Sequence, residues 1–279
     1  MTTRHKTATI LGCGYVGQAV TRRWQAKGKA VTATTTTPSR LPLLEAVAQR
    51  AVQVSGSDPD GLQQILEHET LLLVSVGAKR RDGYRDAYLK TAETLAPILP
   101  HTAVTQVIYT GSYAVYGDRQ GRCVTEADPP APANSNGEIL AQTEQVLLGT
   151  ATPERAVCVL RLGGIYGPGR ELVKIFRQAA GSTRPGAGDD AVNWIHLDDI
   201  VAAIDFAQQQ RLDGLYNLVQ DDPPTAAALL EHVMQTHNLP TVQWDASSAS
   251  TRPYNARVSN QKLKQAGYRF LHPKFSFQA

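Results

Sequence analysis

Three glycines near the start of the chain have the spacing of a phosphate-binding turn. Gly12, Gly14 and Gly17 lie between an apolar, β-branched run at residues 9–11 and a stretch of helical character at residues 16–20. Gly12 permits a tight turn, Gly14 lets a pyrophosphate approach the backbone, and Gly17 lets the helix pack closely on the strand. The open N–H groups of that helix then face the phosphates. The pattern predicts dinucleotide binding, with an ordinary strand–helix turn as the alternative.

The second predicted strand covers residues 30–34. The residues that follow it indicate which dinucleotide binds. A carboxylate about 20 residues past the glycines usually hydrogen-bonds the ribose 2′-hydroxyl of NAD. Here the strand runs instead into the hydroxyls of Thr35 and Thr36 and then to Arg40. Hydroxyls can donate to a 2′-phosphate and a guanidinium can pair with it. We therefore expect NADP, with NAD as the alternative, although residues 37–39 also suit a cap for a helix near Arg40.

Other candidate ligand contacts follow the strands of the predicted sheet. Ligands of open α/β sheets bind beyond the carboxyl ends of the strands, and Ser112 follows the strand predicted at residues 105–110. A loop at residues 55–58 is a typical place for a residue beside adenine. The residues predicted to contact the cofactor are Gly12, Gly14, Tyr15, Val16, Gly17, Thr35, Thr36, Arg40, Ser57, Val76, Gly77, Thr110, Gly111, Leu162 and Gly163.

Strands and helices alternate along the first two thirds of the chain. Strands are predicted at residues 9–11, 30–34, 51–54, 71–76, 105–110 and 156–162. The alternation predicts an α/β Rossmann fold with a doubly wound parallel sheet, which a short strand at residues 215–219 would rejoin.

The last third is less regular. A helix running through Phe206 is expected to have Asp198 as its N-terminal cap. Residues 163–170 look too glycine-rich for regular structure, and the chain from about Thr251 looks polar and irregular.

Composition and charge argue against a nucleic-acid-binding or membrane protein. The 279 residues carry a net charge of +3 and are 42% hydrophobic, enough to bury a core. The triplet Lys79-Arg80-Arg81 is the only basic cluster, so nucleic acid is a poor candidate partner. No apolar run approaches the roughly 20 residues that span a bilayer, and no membrane association is expected.

The three cysteines indicate the redox state of the protein's surroundings. Cys13, Cys123 and Cys158 lack the spacing of metal ligands, so we expect free thiols, no metal and a reducing, cytoplasmic location.

Four ordered segments together resemble the extended, epimerase-like branch of the short-chain dehydrogenase/reductase superfamily. They are residues 12–17, 110–118, 160–170 and 193–199. The resemblance, closest to NAD-dependent epimerase/dehydratase-like proteins, implies a nucleotide-binding domain at residues 1–162, which residues 193–220 would rejoin. It also implies a small C-terminal α/β lobe for substrate, at residues 163–192 and 221–279, and a homodimer as a possible assembly.

The resemblance further implies a Ser/Tyr/Lys catalytic set, of which only the serine is found. Ser112 matches it. Aligning Pro132 and Glu144 with the flanking residues of the family places Asn136 at the tyrosine position and Leu140 at the lysine position. An amide cannot donate the proton, and leucine cannot lower the pKa of a neighbour. The catalytic candidates are Ser112, Tyr113 and Asn136.

Two hypotheses remain open. The first is an NAD(P)-dependent oxidoreductase or epimerase/dehydratase-like enzyme that acts on a small molecule, with a nucleotide sugar suggested by the family alone. The second is a non-catalytic NAD(P)-binding sensor or scaffold. Candidate substrate-binding residues are Tyr116, Tyr166, Arg170 and His196. For the two tyrosines loop packing is the alternative role, and for His196 the alternative is a structural cap.

Overall fold

The computed structural model describes residues 7–78 and 83–275. The strands in chain order are β1 (Thr7–Leu11), β2 (Ala30–Thr35), β3 (Arg50–Gln53), β4 (Leu71–Val74), β5 (Gln106–Ser112), β6 (Asp118–Val124), β7 (Ala156–Leu162), β8 (Gly164–Tyr166), β9 (Thr183–Pro185), β10 (Trp194–His196), β11 (Gly214–Leu218), β12 (Gln243–Asp245) and β13 (Asn255–Val258). The helices are α1 (Tyr15–Ala26), α2 (Leu41–Glu45), α3 (Pro59–Leu66), α4 (Tyr84–Ala87), α5 (Leu89–Ile98), α6 (Ser135–Leu148), α7 (Leu172–Phe176), α8 (Leu197–Gln210), α9 (Ala226–Thr236) and α10 (Gln261–Gln265). The triplet Lys79-Arg80-Arg81 lies outside the described residues.

Seven strands form one sheet in the order β11-β7-β5-β4-β1-β2-β3. The neighbouring pairs from β5 to β3 are parallel, with Thr9 opposite Thr32 on one side of β1 and Leu72 on the other. The order reverses beside β1, as in a doubly wound Rossmann sheet. The predicted fold class is therefore confirmed, and the short strand near residue 215 does join the sheet.

The contacts divide the chain into two units. The first unit comprises residues 1–112, 135–161 and 201–216, and the second comprises residues 113–134, 162–200 and 217–279. The segment 113–134, assigned from the sequence to the nucleotide-binding domain, groups with the second unit.

The first unit owes its stability to burial of the sheet between helices. β4 is an apolar run with all four residues buried, as expected for a central strand covered on both faces. On α1, Val16, Val20 and Trp24 share the buried face at helical spacing. Local signals also fix α3, because the Asp58 side chain accepts a hydrogen bond from the Gly61 N–H at 3.0 Å and Pro59 occupies the first helical position.

The second unit contains three parallel strand pairs, β8 with β10, β9 with β12 and β6 with β13. Its core is formed largely by the apolar face of α9, including Leu229, Val233 and Met234. Within residues 7–78 and 83–275, no helix has the length and apolar character needed to cross a membrane.

Several local predictions were wrong in detail. Residues 163–170 contain β8, and the polar end of the chain contains β13 and α10. The helical stretch over residues 84–98 is interrupted at Tyr88, between α4 and α5. Asp198 does not cap α8 but lies inside its first turn, and its N–H is accepted by Nδ1 of His196 at 3.2 Å.

Candidate functional site

The glycine turn joins β1 to α1 in the first unit. Gly12 has φ +86°, and a Cβ there would lie 2.7 Å from the carbonyl oxygen of Ser75. A Cβ on Gly17 would lie 3.0 Å from the Gly12 carbonyl oxygen, so this glycine permits close helix–strand packing. A Cβ on Gly14, in contrast, would meet no described atom within 4 Å. The backbone at Gly14 is thus open to an approaching group, and the turn fits a pyrophosphate.

The end of β2 lies against this turn. The Gly12 N–H donates to Oγ1 of Thr34 at 3.0 Å, and Nη2 of Arg40 donates to the Cys13 carbonyl at 3.0 Å. Thr35 is buried and its hydroxyl accepts the Thr37 N–H, whereas Thr36 is exposed. The structure therefore holds a guanidinium beside the glycine turn, and a guanidinium has further donors for a second, anionic partner.

The ends of β4 and β5 supply more of the predicted cofactor residues. The Thr110 hydroxyl donates to Oγ of Ser75 at 3.2 Å, and the Ser75 N–H donates to the Leu11 carbonyl at 2.8 Å. Val76 is half-buried and Gly77 is exposed just beyond β4. These groups line the carboxyl edge of the sheet, where ligands of such folds bind.

The remaining predicted cofactor residues are dispersed. Ser57 is exposed and shares a hydrogen bond with Oγ of Ser55 at 2.9 Å. Gly111 packs against Glu144, since a Cβ there would lie 3.0 Å from Oε1. In the second unit, a Cβ on Gly163 would lie 2.9 Å from the Trp194 backbone.

The catalytic candidates of the first unit lie at the end of β5 and at the start of α6. Ser112 is half-buried as the last residue of β5, and Asn136 is half-buried in the first turn of α6. Leu140, one turn further along α6, is only 6% exposed. This face of α6, where the resemblance places a tyrosine and a lysine, carries an amide and an apolar side chain.

A buried ion pair continues that face of α6 and was not predicted from the sequence. Nε and Nη2 of Arg161 donate to Oε2 of Glu144 at 3.0 and 2.7 Å, and both side chains are almost completely buried. Burial raises the pKa of Glu144, and the Arg161 guanidinium opposes that rise. The signal in the sequence was an arginine in the otherwise apolar strand at residues 156–162, which needs a buried partner.

Tyr113, the third catalytic candidate, lies in the second unit. Its buried ring packs edge-on against Tyr254 at 5.4 Å between centroids, and the side chains of Asn193 and Arg252 lie within hydrogen-bonding reach. Burial raises the pKa of Tyr113 to about 12, and the Arg252 guanidinium opposes the rise. The phenol is therefore protonated at neutral pH and is a weaker acid than an ordinary tyrosine.

Two of the candidate substrate residues fill the interior of the second unit. Tyr116 is fully buried and its hydroxyl donates to Oδ1 of Asn217 at 2.9 Å. The hydroxyl of Tyr166 accepts from Nε2 of Gln220 at 2.8 Å, and its ring stacks on Phe275 at 5.1 Å. These contacts give both tyrosines a packing role.

Arg170 and His196 are the other two candidates. Arg170 is exposed, in a turn where its N–H donates to the Gly167 carbonyl at 2.9 Å. His196 caps α8 and lies edge-on to Tyr166 at 5.0 Å. Burial lowers the pKa of His196, and the adjacent His272 imidazole lowers it further. Whether either residue contacts a substrate stays a prediction.

Comparison with known proteins identifies relatives of most of the chain. The model of the NAD dependent epimerase/dehydratase family matches residues 8–218. Protein YeeZ of Escherichia coli strain K12 is 30% identical over 219 residues, which cover 76% of this chain and 77% of that protein. A 3-diazoavenalumate denitrifying reductase from a Streptomyces species is 26% identical over 250 residues, covering 81% and 80% of the two chains.

A solved structure extends the likeness to nearly the whole chain. It is a variant of UDP-glucuronic acid 4-epimerase from Bacillus cereus, in complex with UDP-4-deoxy-4-fluoro-glucuronic acid and NAD. It is 14% identical, with a TM-score of 0.78 over 97% of this chain and 95% of that one. At this identity the likeness shows a shared fold.

Proposed function

This chain belongs to the NAD-dependent epimerase/dehydratase family, and we propose that it is an NAD(P)-dependent enzyme that oxidises, reduces or epimerises a small molecule. The observation that carries the proposal is the glycine turn, open at Gly14 and flanked by the guanidinium of Arg40. Such a turn offers backbone N–H groups to a pyrophosphate at the start of a helix. The bound nicotinamide would supply the hydride transfer.

The preferred cofactor is NADP. Residues 35–40 supply hydroxyls and a guanidinium, with no carboxylate to repel a 2′-phosphate. Arg40 is already oriented by its hydrogen bond to the Cys13 carbonyl, so little side-chain freedom would be lost when it pairs with an anion. Relatives bind NAD, and a preference for NAD is the alternative.

The reacting groups differ from the family pattern. Ser112 would orient the substrate carbonyl or hydroxyl, and the Asn136 amide would hydrogen-bond without transferring a proton. Tyr113 is a candidate donor because it directly follows Ser112, and its raised pKa makes it a weaker acid than an ordinary tyrosine. A nucleotide sugar is the first substrate class to test, because the related epimerase structure holds one. A carbonyl compound is the second, because another relative is a reductase.

Parallel fluorescence titrations with NADPH and NADH test the cofactor assignment. We expect Arg40→Ala to weaken NADPH binding about ten- to a hundredfold, which is the typical effect of losing a hydrogen-bonded ion pair. NADH binding should change little, because NADH has no 2′-phosphate. Arg50→Ala, at an exposed arginine at the start of β3 in the same unit, is the control and should bind both cofactors as the wild type does. Tighter binding of NADH by the wild type would contradict the preference for NADP.

A non-catalytic NAD(P)-binding sensor is the second candidate function. Leu140, almost fully buried where the family has a lysine, offers no cation to an acid/base partner, and this favours loss of catalysis. A screen of carbonyl compounds and nucleotide sugars with NADPH separates the two functions. The enzyme should turn over a substrate and lose that turnover in Ser112→Ala. A sensor should show no turnover, together with a change in proteolytic sensitivity when NADPH binds.

A cytoplasmic location and a homodimer are proposed from the sequence and the family resemblance. Subcellular fractionation and light scattering of the purified chain test them.

A further inference from the structure

Three side chains of metal-ligand type lie together in the second unit. They are His196 at the end of β10, Asp198 in the first turn of α8, and His272 in the C-terminal segment. One ligand atom from each lies within 4.8 Å of the others. The third ligand is 74 residues from the second, so no sequence spacing reveals the group.

The distances suit a shared ion. Oδ2 of Asp198 lies 3.5 Å from Nδ1 of His196 and 3.3 Å from Nε2 of His272. With metal–ligand bonds of about 2.0–2.1 Å, two ligands of a tetrahedral zinc ion are about 3.4 Å apart. Both separations from the carboxylate oxygen agree with this value to about 0.1 Å, and the two imidazole nitrogens lie within 4.8 Å of each other, so an ion could bind after adjustment of the imidazole rings.

His196 already exposes the correct nitrogen. Its Nδ1 accepts the N–H of Asp198 at 3.2 Å, so this nitrogen carries no proton and has a lone pair available. An ion would replace one long hydrogen bond, at a backbone N–H in the first turn of a helix.

Contacts outside the three ligands hold His272 in place. Its backbone N–H donates to Oδ2 of Asp199 at 2.9 Å, and its carbonyl accepts from Nε2 of Gln220 at 2.8 Å. Asp199 also accepts the Leu271 N–H at 2.7 Å and the Tyr268 hydroxyl at 2.9 Å. Asp199 and Gln220 are themselves buried. The backbone that carries His272 is therefore held by a buried network, which places its imidazole beside Asp198.

The cluster is also accessible. The side chain of His196 is 14% exposed, that of His272 is 34% exposed and that of Asp198 is 55% exposed. An ion can enter from solvent, and water can occupy a fourth position. A site with two imidazoles and one carboxylate suits zinc and neighbouring first-row transition metals. Calcium and magnesium instead take oxygen ligands.

We propose that Nδ1 of His196, Oδ2 of Asp198 and Nε2 of His272 bind one divalent transition-metal ion of the zinc type. The ion cross-links the C-terminal segment to the junction of β10 and α8. This site is independent of the proposed NAD(P) binding.

The test uses the full chain, stripped with EDTA and titrated with Co²⁺, followed by displacement with Zn²⁺. We expect saturable binding of one ion per chain, with the visible absorption of tetrahedral cobalt. Asp198→Ala and His272→Gln should each weaken binding at least tenfold, since even outer-contact losses cost 10–100-fold. His237→Gln, at an exposed histidine that follows α9 in the same unit, should bind as the wild type does.

Three results would overturn the proposal. They are no saturable Co²⁺ binding by the wild type, unchanged affinity in both ligand variants, or a cobalt–thiolate absorption band that places the ion at the exposed Cys123. Asp198 is exposed, so its variant should fold even if His272→Gln does not; circular dichroism checks both. NADPH binding is measured on the same samples, with and without Zn²⁺, and should not change. A chain that binds Co²⁺ but no dinucleotide would contradict the proposed function alone.

Discussion

At the level of single residues, α6 shows where the chain departs from its family. In the alignment that the family resemblance implies, Asn136 and Leu140 stand where tyrosine and lysine are expected, and Ser112 stands where the serine is expected. The same helix keeps a carboxylate, Glu144, paired with Arg161 in the interior. Removing one partner of such a pair leaves an uncompensated buried charge and destabilises the fold. A role in stability is therefore enough to explain the Glu144–Arg161 pair. The expected departure from the family pattern is therefore confined to positions 136 and 140 of this helix, since Glu144 has a buried partner.

Two fully buried tyrosines provide a matched test of hydrogen bonding. The hydroxyl of Tyr109 has no hydrogen-bond partner among the described residues, whereas that of Tyr116 donates to Asn217. We expect Tyr109→Phe to be neutral or to raise the free energy of unfolding by up to about 1 kcal/mol, since it removes an unsatisfied polar group. Tyr116→Phe should lower it by about 1–3 kcal/mol, because it leaves the Asn217 oxygen unpaired.

Urea unfolding of both variants and the wild type at one pH measures these changes. Since each substitution removes a single oxygen from a fully buried ring, the cavity cost is matched. A larger loss in Tyr109→Phe than in Tyr116→Phe would contradict this account of the two hydroxyls.

At the level of elements, the β1–α1 connection combines two functions in one turn. Gly12 and Gly17 are glycines for reasons of internal geometry, since a side chain at either would meet neighbouring backbone. A Cβ on Gly14 would meet no described atom within 4 Å, so packing within the unit does not require glycine there. The pyrophosphate proposed to approach this backbone would give glycine at this position a role in binding.

This difference predicts opposite results for two alanine substitutions. Gly12→Ala should lower the free energy of unfolding by at least about 1–2 kcal/mol, from its positive φ alone, and should abolish NADPH binding. Gly14→Ala should lower stability less than Gly12→Ala does, because its Cβ meets no described atom within 4 Å, yet it should weaken NADPH binding at least tenfold, because the Cβ would obstruct the proposed phosphate position. Thermal unfolding and NADPH titration of both proteins measure the two effects. Unimpaired NADPH binding by Gly14→Ala would contradict the phosphate site.

At the level of the whole molecule, cofactor binding should stabilise the chain. A ligand at 100 times its dissociation constant adds about 2.7 kcal/mol to the free energy of unfolding. For a chain of this size that is a rise in melting temperature on the order of 5–10 °C. Scanning calorimetry with NADPH should show this rise for the wild type and a much smaller one for Gly14→Ala at the same concentration. A rise with NADH and none with NADPH would contradict the proposed preference.

The sequence by itself determined the features that depend on residues close together along the chain. The alternation of apolar runs and helical patterns predicted the Rossmann sheet, because side-chain periodicity is set by local backbone geometry. β7 was predicted to the residue, and the glycine turn was located from spacing alone. The missing Tyr/Lys pair was inferred from the residue types at positions 136 and 140 together with the family resemblance, and it stays a prediction.

Tertiary structure decided what depends on distant partners. β8 and β13 are short strands that form by pairing with β10 and β6, and a glycine-rich or polar segment carries no local signal of a remote strand. The buried Asp199 carboxylate accepts the backbone N–H of His272. This hydrogen bond holds the C-terminal segment so that His272 lies beside His196, although 75 residues separate the two in the chain. Such contacts arise from the free energy of the folded core, so only the folded chain could bring these two imidazoles together.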